Sequence, residues 1–372
     1  MLAVMRFVVL LCLLSGPLLG QHDADDFRLN QIQALGSHNS YKQAISPSLL
    51  KLLNAESPGR FRSLEYSHIP LADQLDLGLR KLELDVVHDP EGGLYADPRG
   101  PKMVSEAGLP AGEPFDPDGL MKRPGLKVLH VPDIDFRSHV LTFRQALEQL
   151  RSWSERNPRH IPVVITMNAK DSGVEREGFV RPLPFDRAAF DAWDAEIRGV
   201  LAPEKLLTPD DVRGDFSTLE AAALAHAWPR LGDVRGKFLF VLDQAGPIME
   251  VYVRGHPSLA GRVMFVNARE GRAEAAFRIV NDPIADFHYI QKLVRAGYIV
   301  RTRADANTRE ARSGDVTKRE AAFASGAHFV STDYYQPDPQ FESRYEVHLP
   351  GGGPARWNPL LAPPIIRVPP PE

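Results

Sequence analysis

Short runs of apolar, β-branched residues alternate along this chain with longer stretches whose apolar positions recur every three or four residues. The runs at 32–36, 81–87, 127–131, 163–167, 237–242, 263–266, 298–301 and 328–331 predict strands. Between them, 141–153 carries Phe143, Leu147 and Leu150 at the helical period, and 188–201, 219–228, 286–296 and 316–324 read the same way. Strands interleaved with helices imply parallel βαβ units. Eight strands predict an α/β fold closed as a (β/α)8 TIM barrel, with an open doubly wound sheet as the alternative that strand counting alone leaves standing. Two stretches rich in Pro and Gly, 89–125 and 171–184, follow the second and fourth predicted strands. In a barrel both lie on the face where loops carry function.

The ends of the chain break this alternation. Arg6, the apolar run from Phe7 to Leu14, and the small residues Ser15, Gly16 and Gly20 have the order of a secretory signal peptide cut after Gly20. The apolar run is too short to span a bilayer, which takes about 20 residues. The expected organisation is therefore a signal at 1–20, one catalytic barrel over 21–345, and a proline-dense tail over 346–372 that either straps the barrel or stays disordered. Cleavage would remove Cys12, the single cysteine. The exported protein, extracellular or periplasmic, would then have neither a disulfide framework nor a thiol nucleophile. A net charge of −4 gives no support for nucleic-acid binding, and no obligate protein partner is visible.

Candidate chemistry collects at predicted strand ends. His38-Asn39 closes the first strand and offers a titrating imidazole beside a neutral oxygen ligand; a loop histidine followed by a turn-forming asparagine is the plain alternative. Glu83 and Asp85 stand two apart on the second strand, so both face one side while Leu82, Leu84 and Val86 face the other. Two inward carboxylates repel unless neutralised. A divalent cation with hard oxygen ligands, calcium or magnesium, is one remedy, and buried Arg or Lys is the other. His130 ends the third predicted strand and Asn168 the fourth. Arg301 and Arg303 share a face on the seventh, suited to clamp an anionic substrate group or to pair structurally. Asp333 can orient His38 or cap a helix.

The segment His38-Asn39-Ser40-Tyr41, the strand Leu82-Glu83-Leu84-Asp85 and the following His130 resemble the catalytic barrel of phosphoinositide phospholipases C. Tyr66-Ser67-His68-Ile69-Pro70-Leu71 and the segment from His130 to Ser138 are similar to the bacterial and fungal calcium-dependent, phosphatidylinositol-specific branch. The resemblance covers about residues 30 to 335. It implies that His38 is the general base, that His130 is the general acid, and that Asn39, Glu83 and Asp85 hold Ca2+ with Asn168 as a fourth donor. Asn168 stands where the eukaryotic enzymes supply a carboxylate, which lowers the site's negative charge. Paired headgroup-phosphate lysines have no counterpart in 237–241, so the implied substrate is unphosphorylated phosphatidylinositol in a membrane surface. Glu83→Gln is expected to raise the calcium requirement and leave the fold intact. Two other readings remain: a glycerophosphodiester phosphodiesterase, whose His-Arg-Gly type opening is replaced here by His38-Asn39-Ser40, and a catalytically inactive lipid-binding barrel.

Overall fold

The computed structural model describes residues 24–361, so the signal segment and the last residues of the tail lie outside the described residues. Its centre is a closed barrel of eight parallel strands: β1 (Ile32–Ser37), β2 (Lys81–Val87), β4 (Val163–Ala169), β5 (Phe238–Leu242), β6 (Phe265–Asn267), β7 (Ala275–Ile279), β8 (Ile299–Arg303) and β9 (Phe329–Thr332). A two-residue strand, β3 (Lys127–Val128), and another near the C-terminus, β10 (Arg356–Trp357), lie outside the parallel set. Closure comes from β1, which pairs with β9 along Ala34–Ser37 and with β2 at Gly36 opposite Lys81. That seam is tight. A Cβ on Gly36 would sit 2.4 Å from Lys81 Cβ and from its carbonyl oxygen, so only glycine fits.

The predicted count of eight is met, but one member differs. Residues 127–131 are not a barrel strand: β3 runs antiparallel to the end of β2, with Val128 opposite Val86. The long excursion after β2 doubles back, so its return leg cannot join a parallel sheet. The missing member is β7, whose Ala-Ala-Phe-Arg-Ile run has a single β-branched residue and a charge at its fourth position. Its pairing to β8 through Phe277, Arg278 and Ile279 makes it a strand despite that weak propensity.

Outward strand residues such as Leu82, Leu84, Val86, Ile165 and Met167 form one core with the surrounding helices. Of the first five helices, α2 (Leu71–Asp76), α4 (Phe143–Arg156) and α5 (Arg187–Val200) join this core, whereas α1 (Pro47–Glu56) and α3 (Arg99–Glu106) pack together on a separate cluster with Ile134 and Phe136. In α4 the buried side chains Phe143, Ala146, Leu147, Leu150 and Trp153 make one stripe, and Thr142 caps its start by accepting from Gln145 N. The described part of the tail is packed as a strap: Val347, Leu349 and Ala355 are buried, and β10 pairs antiparallel with Ile32 and Gln33 of β1.

Candidate active site

Alternation on the strands fills the barrel interior with charge. Glu83 lies 2.6 Å from Lys81 Nζ and 2.6 Å from Arg301 Nη2, and accepts from Thr166 Oγ1 at 3.1 Å, all on Oε2. Asn168 Nδ2 donates to Oε1 at 3.3 Å. Burial opposes the charge on Glu83, but Lys81 and then Arg301 outweigh it and hold the carboxyl well below its usual range. Arg301 is fully engaged at this floor, also donating to Ser331 Oγ and to Asn281 Oδ1. Of the two arginines expected to meet substrate, Arg301 is therefore the counter-ion of Glu83, and Arg303 is the one that reaches a catalytic candidate.

That candidate is His38, at the end of β1. Its Nδ1 lies 2.9 Å from Asp333 Oδ1, just past β9. An anionic Asp333 requires the proton on Nδ1, which leaves the Nε2 lone pair free to accept from Arg303 Nη1 at 3.2 Å. Burial first, and Arg303 next, lower the imidazole pKa below its ordinary value. The neutral, proton-accepting form therefore dominates at neutral pH. Arg303 also donates to Asp333 Oδ2 at 3.1 Å, so three groups brace one another. Of the two roles open to Asp333 in the sequence, the structure shows orientation of His38.

His130 is held differently. It follows β3, and the turn from Val131 to Asp135, closed by Val131 N to Asp135 O at 3.1 Å and Asp135 N to Val131 O at 2.9 Å, folds the carboxylate back on the ring. His130 Nδ1 and Asp135 Oδ2 are 2.7 Å apart. Asp133 supports the turn with a positive φ of 73°, accepting from Arg99 N and Val180 N and so tying both long loops to it. His130 thus reaches the same end of the barrel as His38 from an antiparallel ribbon. Nearby, His68 is buried and its Nε2 donates to His38 O at 2.7 Å, Asp89 pairs with Lys127 at 3.2 Å, and His88 packs on Phe185.

Of the predicted cation donors, Glu83, Asp85 and Asn168 are neighbours on β2 and β4. Asn39 is buried with φ 47°, in the left-handed region, and its amide donates to Tyr66 Oη at 2.8 Å. Asp85 is the telling residue. Both its oxygens are buried without a hydrogen bond, although Lys170 Nζ stands 2.9 Å from Oδ2. A fully buried carboxylate left in this state suits a hard cation, and the remaining donors are all oxygen. Among the described residues no three His, Cys, Asp or Glu side chains form a metal-binding group; the expected set has only two carboxylates, completed by amides. Asp243 was missed in the sequence. Leu242 pairs with Met167, so Asp243 continues the register beside Asn168, and burial together with Glu83 raises its pKa to about 6. The signal was available, since 238–243 is one more apolar strand ending in a carboxylate.

Comparison with known proteins gives the family and the fold. Residues 27–359 match the family described as phosphoinositide phospholipase C, Ca2+-dependent. The chain belongs to that family. It is thereby placed among the phospholipases C rather than the glycerophosphodiester enzymes. Among solved structures, a calcium-dependent phosphoinositol-specific phospholipase C from Pseudomonas sp. is 16% identical with a TM-score of 0.55, over 91% of this chain and 97% of that one. A Ca2+-dependent phosphatidylinositol-specific phospholipase C from Streptomyces antibioticus is 18% identical with a TM-score of 0.50, over 83% of this chain and 95% of that one. At these identities the likeness is one of fold. A search of curated protein sequences returns no match.

Proposed function

We propose that this family member is a secreted, calcium-dependent phospholipase C that cleaves phosphatidylinositol at a membrane surface into diacylglycerol and inositol phosphate. The observation that carries the reading is the pair of His–Asp couples at one barrel rim, one of them with its imidazole held neutral and its Nε2 facing the site. His38 Nε2 takes the proton of the inositol 2-hydroxyl as that oxygen attacks phosphorus. The bond from phosphorus to the diacylglycerol oxygen breaks, and His130 delivers a proton to the departing oxygen. Nucleophile and phosphorus belong to one molecule, so their encounter costs the protein no translational entropy. Asp333 keeps the His38 proton on Nδ1, and Arg303 is placed to turn from Nε2 to a phosphate oxygen.

Asn39, Glu83, Asp85 and Asn168 would hold calcium, with the buried Asp85 carboxylate, whose Oδ2 faces Lys170 and whose Oδ1 has no hydrogen bond, as the observation in favour. When bound, the ion supplies positive charge against the 2-hydroxyl and the phosphoryl oxygens. Secretion rests on the signal-like N-terminus; among the described residues, no helix is long and apolar enough to cross a membrane. The test is headgroup release from phosphatidylinositol vesicles with and without a calcium chelator. Release that stops in chelator and returns with calcium is the expected result, and undiminished release in chelator removes the metal from the reading.

A further inference from the structure

Lys42 belongs to the same short segment as His38, yet no part of the proposed chemistry uses it. Its side chain is completely buried. An ammonium has three donors, and here each has a direction: Nζ donates to Leu64 O at 3.0 Å and to Tyr66 O at 2.8 Å, and faces Asp135 Oδ1 at 3.2 Å. The Tyr66 ring adds its face at 4.6 Å. The backbone on either side is clamped to the chain that follows Asp135. Lys42 bridges Ser138 in antiparallel fashion, Gln43 N donates to Arg137 O at 3.2 Å, and His139 N donates to Tyr41 O at 2.8 Å. Lys42 is thus fixed against Asp135 by both side chain and backbone.

Asp135 needs it. The carboxylate is buried, its Oδ2 faces His130 Nδ1, and its Oδ1 faces Lys42 Nζ. A buried carboxylate stays ionised only beside compensating charge. We propose that Lys42 is a positioning residue for the general acid: its fixed charge keeps Asp135 anionic, so that His130 is held as an imidazolium with its Nε2 proton facing the leaving oxygen. Without that charge Asp135 takes up a proton and donates it toward Nδ1. His130 is then a neutral imidazole, far too weak an acid to protonate an alkoxide. The inference rests on the assignment of His130 as acid. It also couples the two halves of the site, because the loop that begins with the base supplies the charge that arms the acid.

Leaving-group dependence tests this, since a merely structural role would not show it. Lys42→Met and Asp135→Asn are assayed on phosphatidylinositol vesicles and on a nitrophenyl phosphoinositol, whose leaving group departs without a proton. Each variant should lose about 10- to 100-fold in kcat on the lipid, and less than about threefold on the activated ester. In a His130→Ala background, Lys42→Met should cost less than about twofold, because the group it serves is gone. Equal losses on both substrates, or an undiminished loss in the His130→Ala background, overturn the proposal. So does lipid turnover by Asp135→Asn at the wild-type rate, which remains decisive if Lys42→Met does not fold. If His130→Ala itself gains nothing from the activated ester, the acid assignment fails and this inference with it. Rescue of His130→Ala without rescue of Lys42→Met defeats the Lys42 role alone.

Discussion

The two histidines of the rim are built on opposite plans. His38 is paired with an aspartate 295 positions away in sequence, brought beside it because β1 and β9 are neighbours in a closed barrel. His130 is paired with an aspartate five positions away, through a turn that forms in a loop. The first couple inherits its geometry from the rigid wall; the second depends on loops pinned by Asp133 and Lys42. Their charge environments differ as well. Burial and Arg303 lower the His38 pKa against the pull of Asp333, whereas Asp135 faces His130 with a lysine behind it.

Removing each histidine gives the largest contrast. His38→Ala should lower kcat by about 10²–10⁴ on phosphatidylinositol and by a similar factor on the nitrophenyl substrate, since its task concerns the nucleophile. His130→Ala should lose comparably on the lipid and recover much of it on the nitrophenyl ester. Steady-state kinetics on the two substrates checks this, and a swapped pattern would reverse the assignments.

The carboxylates give the next contrast, in stability. Sequence reasoning expects Glu83→Gln to leave the fold intact, and the ion pairs of Glu83 add an expected loss of stability. The change would leave Lys81 and Arg301 buried against a neutral amide, at a cost of about 3–5 kcal/mol. Asp85→Asn removes a buried carboxylate that faces the partly exposed Lys170 and the like charge of Asp243, and should cost clearly less stability than Glu83→Gln. Denaturant unfolding of the calcium-free proteins separates the two. Calorimetric titration should show that Asp85→Asn abolishes calcium binding. Retained binding would move the ion elsewhere.

The smallest effect is a pH shift. Burial and Arg303 place the His38 pKa below its ordinary value of about 6.5, so the base form persists on the acid side of neutrality and is lost as pH falls through the lowered value. Arg303→Met removes one lowering cause, so the acid limb of kcat/KM should move to higher pH. Profiles normalised to their maxima read the shift independently of any loss in phosphate binding, and a limb displaced to lower pH would contradict the placement of Arg303.

Much of this was legible in the chain. The alternation within Lys81–Val87 determines which side chains enter the barrel, because a strand turns successive residues to opposite faces. The strand ends His38, Glu83, Asp85, Asn168 and Arg303 declared themselves as candidates for the same reason. Three outcomes needed the folded protein. Lys127–Val128 carries a strand's residues but runs antiparallel, since direction is a property of the partner and not of the run. Ala275–Ile279 has weak strand propensity and is a strand because both its edges are paired. The counter-ions of the site, Arg301 for Glu83, Asp333 for His38 and Lys42 for Asp135, come from residues 218, 295 and 93 positions away. Local sequence determines which groups point inward; which charges then meet is decided by barrel closure and loop docking, because Coulomb interactions depend on distance in space and carry no record of distance along the chain.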